Sequence, residues 1–204
     1  MTPDDLIAFE TSIAEAFNAG QIRAPVHLSD GQEEPLIEYF KQVKDADWVC
    51  CTWRSHMQCL LKGVPPEELR NEIMCGRSIS LCFPRQRVIS SAIAGGILPI
   101  AVGIAMGIKR AGGSELVHCF IGDMVGRSGI AFECMSYAHY HGLPIQFVIE
   151  DNEISVCTDT KKVWNHFKGR APWYWQMDFR PNLMKYYKYK SRYPHAGAGQ
   201  RVQF

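Results

Sequence analysis

The chain has 204 residues, 47% of them apolar and 21% charged, with a formal net charge of +1. That suffices for one sizeable core and excludes a collagen-like, low-complexity or strongly charged disordered chain. Eight cysteines, none in a Cys-x-x-Cys pair, fit reduced buried thiols better than a disulfide framework or zinc site; with the acidic start MTPDDLIAFE, which is not a signal peptide, this predicts a cytoplasmic protein.

Residues 3–19 read as an amphipathic helix, with Thr2 or Asp4 as cap, Leu6, Phe9, Ile13 and Phe17 on one face, and Gly20 as its end. A turn-rich loop, 21–33, carries His27 and leads into a helix through about Val43. Residues 46–54 form a short apolar strand ending at Arg54, with His56 just beyond. An Arg at a strand end can clamp a phosphate bidentately, although a surface ion pair is the ordinary use. GVPPEELRNEIMCG is a short helix with prolines at its start and Gly76 at its end, and 77–91 is irregular.

Residues 88–108 are 21 uncharged residues, the length of a membrane span, but four glycines, Pro99 and two serines suit a helix packed closely against another surface. We therefore expect no membrane insertion and a helix from near Pro99 to the Ala-Gly-Gly of 111–113, with Lys109 and Arg110 in its last turn. Residues 115–156 read as strand, turn, helix, strand. Asp123 closes the first apolar run and Asn152 the second, with a glycine-punctuated turn from Gly122 to Gly129 between them. In a parallel sheet both strand ends emerge on one edge, where open α/β sheets bind ligands. Backbone N–H groups in such a turn suit a phosphate, and a carboxylate with an amide oxygen suits Mg²⁺ or Ca²⁺. The same pattern also fits a plain βαβ unit whose polar residues only stop the strands.

The near-neutral total hides an asymmetry. Residues 161–204 hold ten Lys/Arg and one acid, Asp178, whereas the first 160 hold 12 basic and 20 acidic residues. The basic segment is dense in aromatics, among them Trp164, Phe167, Trp173, Tyr174, Trp175, Tyr186, Tyr187 and Tyr189. Without a nucleic-acid module signature, it reads as a docking segment for an acidic partner subunit rather than a nucleic-acid surface. The division expected is a domain over 1–160 and a C-terminal extension over 161–204.

Four blocks, in order, resemble the alpha subunit of the thiamine-diphosphate-dependent first component of 2-oxo acid dehydrogenase complexes, the pyruvate, branched-chain and acetoin dehydrogenase type. HLSDGQE at 27–33 is similar to the family's His-Leu-x-x-Gly-Gln-Glu, and WRSH at 53–56 to its Tyr-Arg-x-His. IAGGILPIAVGIAMG at 93–107 resembles its glycine- and proline-containing helix, and GDM…DN at 122–152 its Gly-Asp-Gly…Asn-Asn motif. The resemblance covers roughly residues 1–160.

The resemblance implies a three-layer α/β thiamine-diphosphate-binding fold with a mostly parallel central sheet and helices on both faces. It implies Asp123, Asn152 and the carbonyl of Ile154 as Mg²⁺ ligands, and Gly122, Met124 and Val125 along the diphosphate. Arg54 would hold a diphosphate oxygen, and Ala92 and Ala94 would meet the aminopyrimidine through main-chain atoms. His27, His56 and, as a stand-in for a later family histidine, His195 would be the catalytic histidines. The implied activity is decarboxylation of a small 2-oxo acid and passage of an acyl group to a lipoyl carrier. The pyrimidine-binding half and the activating glutamate would come from a separate beta-type subunit, with two copies of each chain. The candidate interfaces are the 93–107 helix and the basic aromatic segment.

The chain also departs from the family pattern. Met124 stands for the motif's second Gly, Asp151 for its first Asn, and Trp53 for Tyr. Ile79-Ser80-Leu81-Cys82 stands where Gly-Ser-Met-His is expected, so one family histidine is absent. These changes keep two alternatives open: a split transketolase-like or carboligase enzyme, and a non-catalytic scaffold subunit.

Overall fold

The computed structural model describes residues 1–163, 177–195 and 202–204. The first helix, α1 (Pro3–Asn18), is set by a capping box: the Thr2 hydroxyl accepts the Asp5 N–H at 3.2 Å, and the Asp5 carboxylate accepts the Thr2 N–H at 2.7 Å. This satisfies two backbone donors that a helix start leaves open. After it come α2 (Glu33–Phe40), β1 (Trp48–Cys51), α3 (His56–Leu61) and α4 (Pro66–Glu72). A wide turn over 73–77 follows, in which Gly76 takes a φ of +84°. The stretch 77–91, expected to be irregular, instead holds a small hairpin, β2 (Cys82–Phe83) and β3 (Val88–Ser90).

The uncharged run 88–108 is divided between β3, a turn and α5 (Ile97–Arg110), so it never forms one long apolar helix. Among the described residues no helix is long and apolar enough to cross a membrane. Next come β4 (Val117–Gly122), α6 (Asp123–Gly126), α7 (Gly129–Tyr140) and β5 (Ile145–Asp151). A second hairpin, β6 (Ile154–Ser155) with β7 (Thr158–Asp159), leads to α8 (Thr160–Val163), and β8 (Met184–Lys188) is the last strand.

Six strands make one sheet in the order β2-β3-β1-β4-β5-β8, parallel throughout except for the β2–β3 pair. Because side chains alternate along a strand, each strand feeds two cores. Val49, Cys51, Phe120 and Val148 pack beneath α1 to α4, whereas Cys50, Cys119, Ile121, Phe147 and Ile149 pack beneath α5 and α7. The result is three layers, helices on both faces of a mostly parallel sheet. Phe120 and Phe147 are fully buried, and each contributes roughly 1.5–3 kcal/mol through burial.

Residues 184–188, beyond residue 160, join this sheet. β8 pairs in parallel with β5 over Phe147↔Met184 to Asp151↔Lys188, and Leu183 is wholly buried. A buried polar row holds its start. Gln146 donates to the Asn182 carbonyl at 2.7 Å and accepts the Tyr39 hydroxyl at 2.7 Å. That hydroxyl also meets His118 at 2.7 Å, and His118 meets Asp47 at 3.2 Å. Trp164, Phe167, Trp173, Tyr174 and Trp175 of the aromatic segment lie outside the described residues.

Candidate active site

A cleft of about 250 Å³ opens at the carboxyl edge of the sheet. Thr52, Trp53 and Arg54 reach it from the end of β1, Gly122 to Val125 from β4 and α6, Glu150, Asn152 and Ile154 from β5 and the hairpin, and Tyr189 from β8. Ala94 also lines it, whereas Ala92 is exposed nearby without lining it. A broader depression of about 670 Å³ also borders the hairpin and shares Asn152, Ile154 and Tyr189 with the cleft. It is the larger space, but its remaining lining is mostly surface residues such as Lys162, Lys188 and Lys190.

Asp123 opens α6 at the end of β4 and is 3% exposed. Burial first, and the neighbouring Asp151 charge second, push its carboxyl up to about 6. Asp151 is held in turn, since its carboxylate accepts the Glu153 N–H at 2.8 Å and the Tyr186 hydroxyl. The Asn152 side-chain oxygen accepts the Ile154 N–H at 3.0 Å, which turns the chain into the hairpin. At Gly122 an added Cβ would meet no atom within 4 Å, so this main chain faces the cleft unobstructed.

Arg54 donates through Nε to the Leu28 carbonyl at 3.2 Å and lies 3.4 Å from His195 Nδ1. Among the described residues it makes no ion pair within 4.0 Å, so a guanidinium in the cleft is left without a carboxylate. His27 stacks on His195 with ring centroids 4.2 Å apart, and Trp53 stands beside both rings. Burial and then the His195 and Arg54 charges push His27 down to about 3; burial and then Arg54 push His195 down to about 4. Both rings are therefore neutral at pH 7. The structure thus gathers His27, His195, Arg54, Asp123, Asn152 and Ile154 around one edge. It does not bring His56 there: that ring is fully buried, with Nδ1 3.1 Å from Glu10 and Nε2 2.9 Å from Ser78.

The model of the dehydrogenase E1 component family matches residues 3–167, more than three-quarters of the chain. The chain belongs to this family. The E1 relatives include the alpha subunit of the pyruvate dehydrogenase E1 component from Porphyra purpurea, 31% identical over 165 residues, 72% of this chain and 48% of the relative. The corresponding subunit of Rickettsia prowazekii is 29% identical over 164 residues, 76% of this chain and 50% of the relative. The alpha subunit of an acetoin:2,6-dichlorophenolindophenol oxidoreductase from Cupriavidus necator is 29% identical over 155 residues, 71% of this chain and 46% of the relative. The chain thus spans about half the length of the curated relatives it matches.

In this E1 chain the cleft is lined by a carboxylate residue, Asp123, an amide residue, Asn152, and the hairpin residue Ile154, beside an arginine that makes no ion pair among the described residues and an open glycine. That donor set suits a divalent cation together with a phosphate-type anion. Two further cleft residues escaped the sequence reading. Glu150 is 5% exposed, and burial pushes its carboxyl up to about 7 against the pull of Tyr187 and Gln58, which donate to Oε1 at 2.6 and 2.8 Å. Tyr189 follows β8, and burial raises its hydroxyl well above the ordinary tyrosine range. A polar residue inside an apolar run was the only sequence signal for Glu150, and Tyr189 had none beyond its place in the basic segment.

Proposed function

We propose that this chain is the diphosphate- and Mg²⁺-binding subunit of a thiamine-diphosphate-dependent 2-oxo acid dehydrogenase, working with a separate beta-type chain and passing an acyl group to a lipoyl carrier. The observation that carries this reading is the convergence of Asp123, Asn152 and Ile154 with unpaired Arg54 on one cleft at the ends of parallel strands. Asp123, Asn152 and the Ile154 carbonyl would hold the cation, with Gly122, Met124 and Val125 along the diphosphate and Arg54 on one of its oxygens. Asn152 must share or release its bond to the Ile154 N–H to do so. A buried Asp123 beside Asp151 supports the assignment, because a divalent ion would offset both charges. When bound, thiamine diphosphate supplies a nucleophilic carbon and an electron sink for decarboxylation.

The chain's own residues would then bind, orient and exclude water. His27 and His195, neutral at pH 7, can each donate one N–H or accept one hydrogen bond beside Arg54. His56 is enclosed by Glu10 and Ser78 and would act by holding its neighbours, not by meeting substrate. The outer face of α5 supports partner docking: Ile100 is 42% exposed, and built side chains at Gly103 and Gly107 would meet nothing within 4 Å. A second reading, carboligase-type transfer of the same carbanion to an aldehyde, is favoured by exposed Cys82 standing where the family pattern has a histidine.

The test is thermal unfolding of the purified chain with thiamine diphosphate, with Mg²⁺, and with both. A site filled at 100 times its Kd adds about 2.7 kcal/mol, or roughly 5–10 °C for a chain of this size. The expected result is a shift only with both ligands, and 2-oxo acid turnover only after a beta-type chain is added. No shift with both ligands and the partner present would favour a scaffold subunit; turnover by this chain alone would refute the half-site. Lipoyl acylation against aldehyde condensation separates the two enzyme readings.

A further inference from the structure

A buried polar unit around His56 includes a carboxylate, Glu10, to which the proposed reading gives no task. Glu10, on α1, is 1% exposed, yet both its oxygens are engaged. Oε2 accepts the Ser29 N–H at 2.7 Å, and Oε1 lies 3.1 Å from His56 Nδ1. The far side of that ring, Nε2, is 2.9 Å from Ser78 Oγ. Glu10, His56 and Ser78 thus form the hydrogen-bonded series of a serine hydrolase. His56 and Ser78 are both fully buried, and none of the three lines the cleft, so no substrate can reach the hydroxyl.

What the series does touch is the Arg54 segment, which lines the cleft, and the His27 segment bonded to it. Ser29 is two residues from His27, and the carbonyl between them, that of Leu28, accepts Arg54 Nε. His56 is two residues from Arg54 and opens α3. Among the described residues the Nδ1 atom of His27 has no hydrogen-bond partner, and its ring packs against His195 and Trp53. We infer that Glu10 is a positioning residue: one buried carboxylate, gripping the Ser29 N–H with one oxygen and His56 with the other, sets His27 and Arg54 against each other. The inference takes its relevance to catalysis from the reading proposed above.

The hydrogen-bond inventory sharpens this. With Glu10 as a carboxylate, which only accepts, and His56 as a single-proton ring, the proton sits on Nδ1 and Nε2 accepts the Ser78 hydroxyl. In Glu10→Gln the amide oxygen can keep the Ser29 N–H, but the amide nitrogen then faces Nδ1 and donates. His56 must move its proton to Nε2 and donate to Ser78. The grip survives with its polarity reversed. Glu10→Ala removes it from both segments.

The experiment is ¹⁵N-histidine NMR on the full chain, paired with titration of thiamine diphosphate in Mg²⁺. Glu10→Gln is expected to switch the His56 tautomer, to leave the His27 resonances in place and to change cofactor affinity by less than about 3-fold. Glu10→Ala is expected to move the His27 resonances and, by misplacing Arg54 and its one charge-assisted bond to the diphosphate, to weaken affinity by ~10-fold or more. A Glu10→Gln variant whose His56 tautomer is unchanged would overturn the inference, even if Glu10→Ala fails to fold. So would a folded Glu10→Ala with unmoved His27 signals, or labelling of Ser78 by a fluorophosphonate probe. If the wild-type chain binds no cofactor under any condition, the proposed function falls, while the His27 and His56 spectra still decide the role of Glu10.

Discussion

Replacing Asp123 by Asn should make the empty protein more stable while destroying its metal site. In the fold the Asp123 carboxyl is pushed from its ordinary 3.8 up to about 6, so the folded chain binds this proton more tightly than the unfolded chain does. Stability from this group is therefore complete below about pH 3.8, falls as pH rises through 6, and at pH 8 carries a penalty of about 3 kcal/mol for the buried charge. Little solvent screening offsets it, because the residue is 3% exposed. Asn keeps the shape and removes the charge, so Asp123→Asn should exceed wild type by about 3 kcal/mol at pH 8, with the gap closing near pH 4. Urea unfolding at pH 4, 6 and 8, with chelator and no thiamine diphosphate, measures it directly. The same variant should lose the unfolding shift that thiamine diphosphate and Mg²⁺ give together. A variant less stable than wild type at pH 8, or a gap that does not change with pH, would refute the reasoning.

Three other substitutions test neighbouring parts of the account. Glu150→Gln keeps the Oε1 that Gln58 and Tyr187 hold and removes a carboxyl pushed from 4.5 up to about 7, so it should raise stability at pH 8.5 by about 3 kcal/mol and change nothing at pH 4. Equal gaps at both values in urea unfolding would contradict this. Arg54→Gln should weaken inorganic pyrophosphate binding in Mg²⁺ by about 10- to 100-fold in calorimetry, the value of a charge-assisted bond. Val156 is a β-branched residue at a φ of +56° in the turn between β6 and β7, so Val156→Gly should add about 1 kcal/mol to stability; a fall in Tm would show that the side chain's packing outweighs its backbone strain.

Much of the fold could be read from local pattern. Thr2 and the spacing of Leu6 and Ile13 define α1, Lys109 and Arg110 mark the end of α5, and Asp123 and Asp151–Asn152 mark two strand ends that parallel pairing brings together. What was not legible depended on distant partners. The hairpin 82–90 has strands of two and three residues, too short to show alternation. β8, with the sequence MKYYK, looks like surface, and only its pairing with β5 and the hold of Gln146 on Asn182 make it part of the sheet. His56 follows Arg54 closely in sequence, but α3 begins at that point and turns the ring inward to Glu10, 46 residues away. Glu150 sits within an apolar run, and its partners lie on α3 and β8, which no spacing along β5 could reveal.

The most direct test of the central claim replaces Mg²⁺ by Mn²⁺ and follows paramagnetic broadening of the backbone amide resonances, with and without thiamine diphosphate. The account predicts that with both present the signals of Asp123, Asn152 and Ile154 broaden first, and that Asp123→Asn abolishes the effect. Broadening centred on the depression lined by Lys188 and Lys190, or none near Asp123 at saturating cofactor with the beta-type partner present, would contradict it.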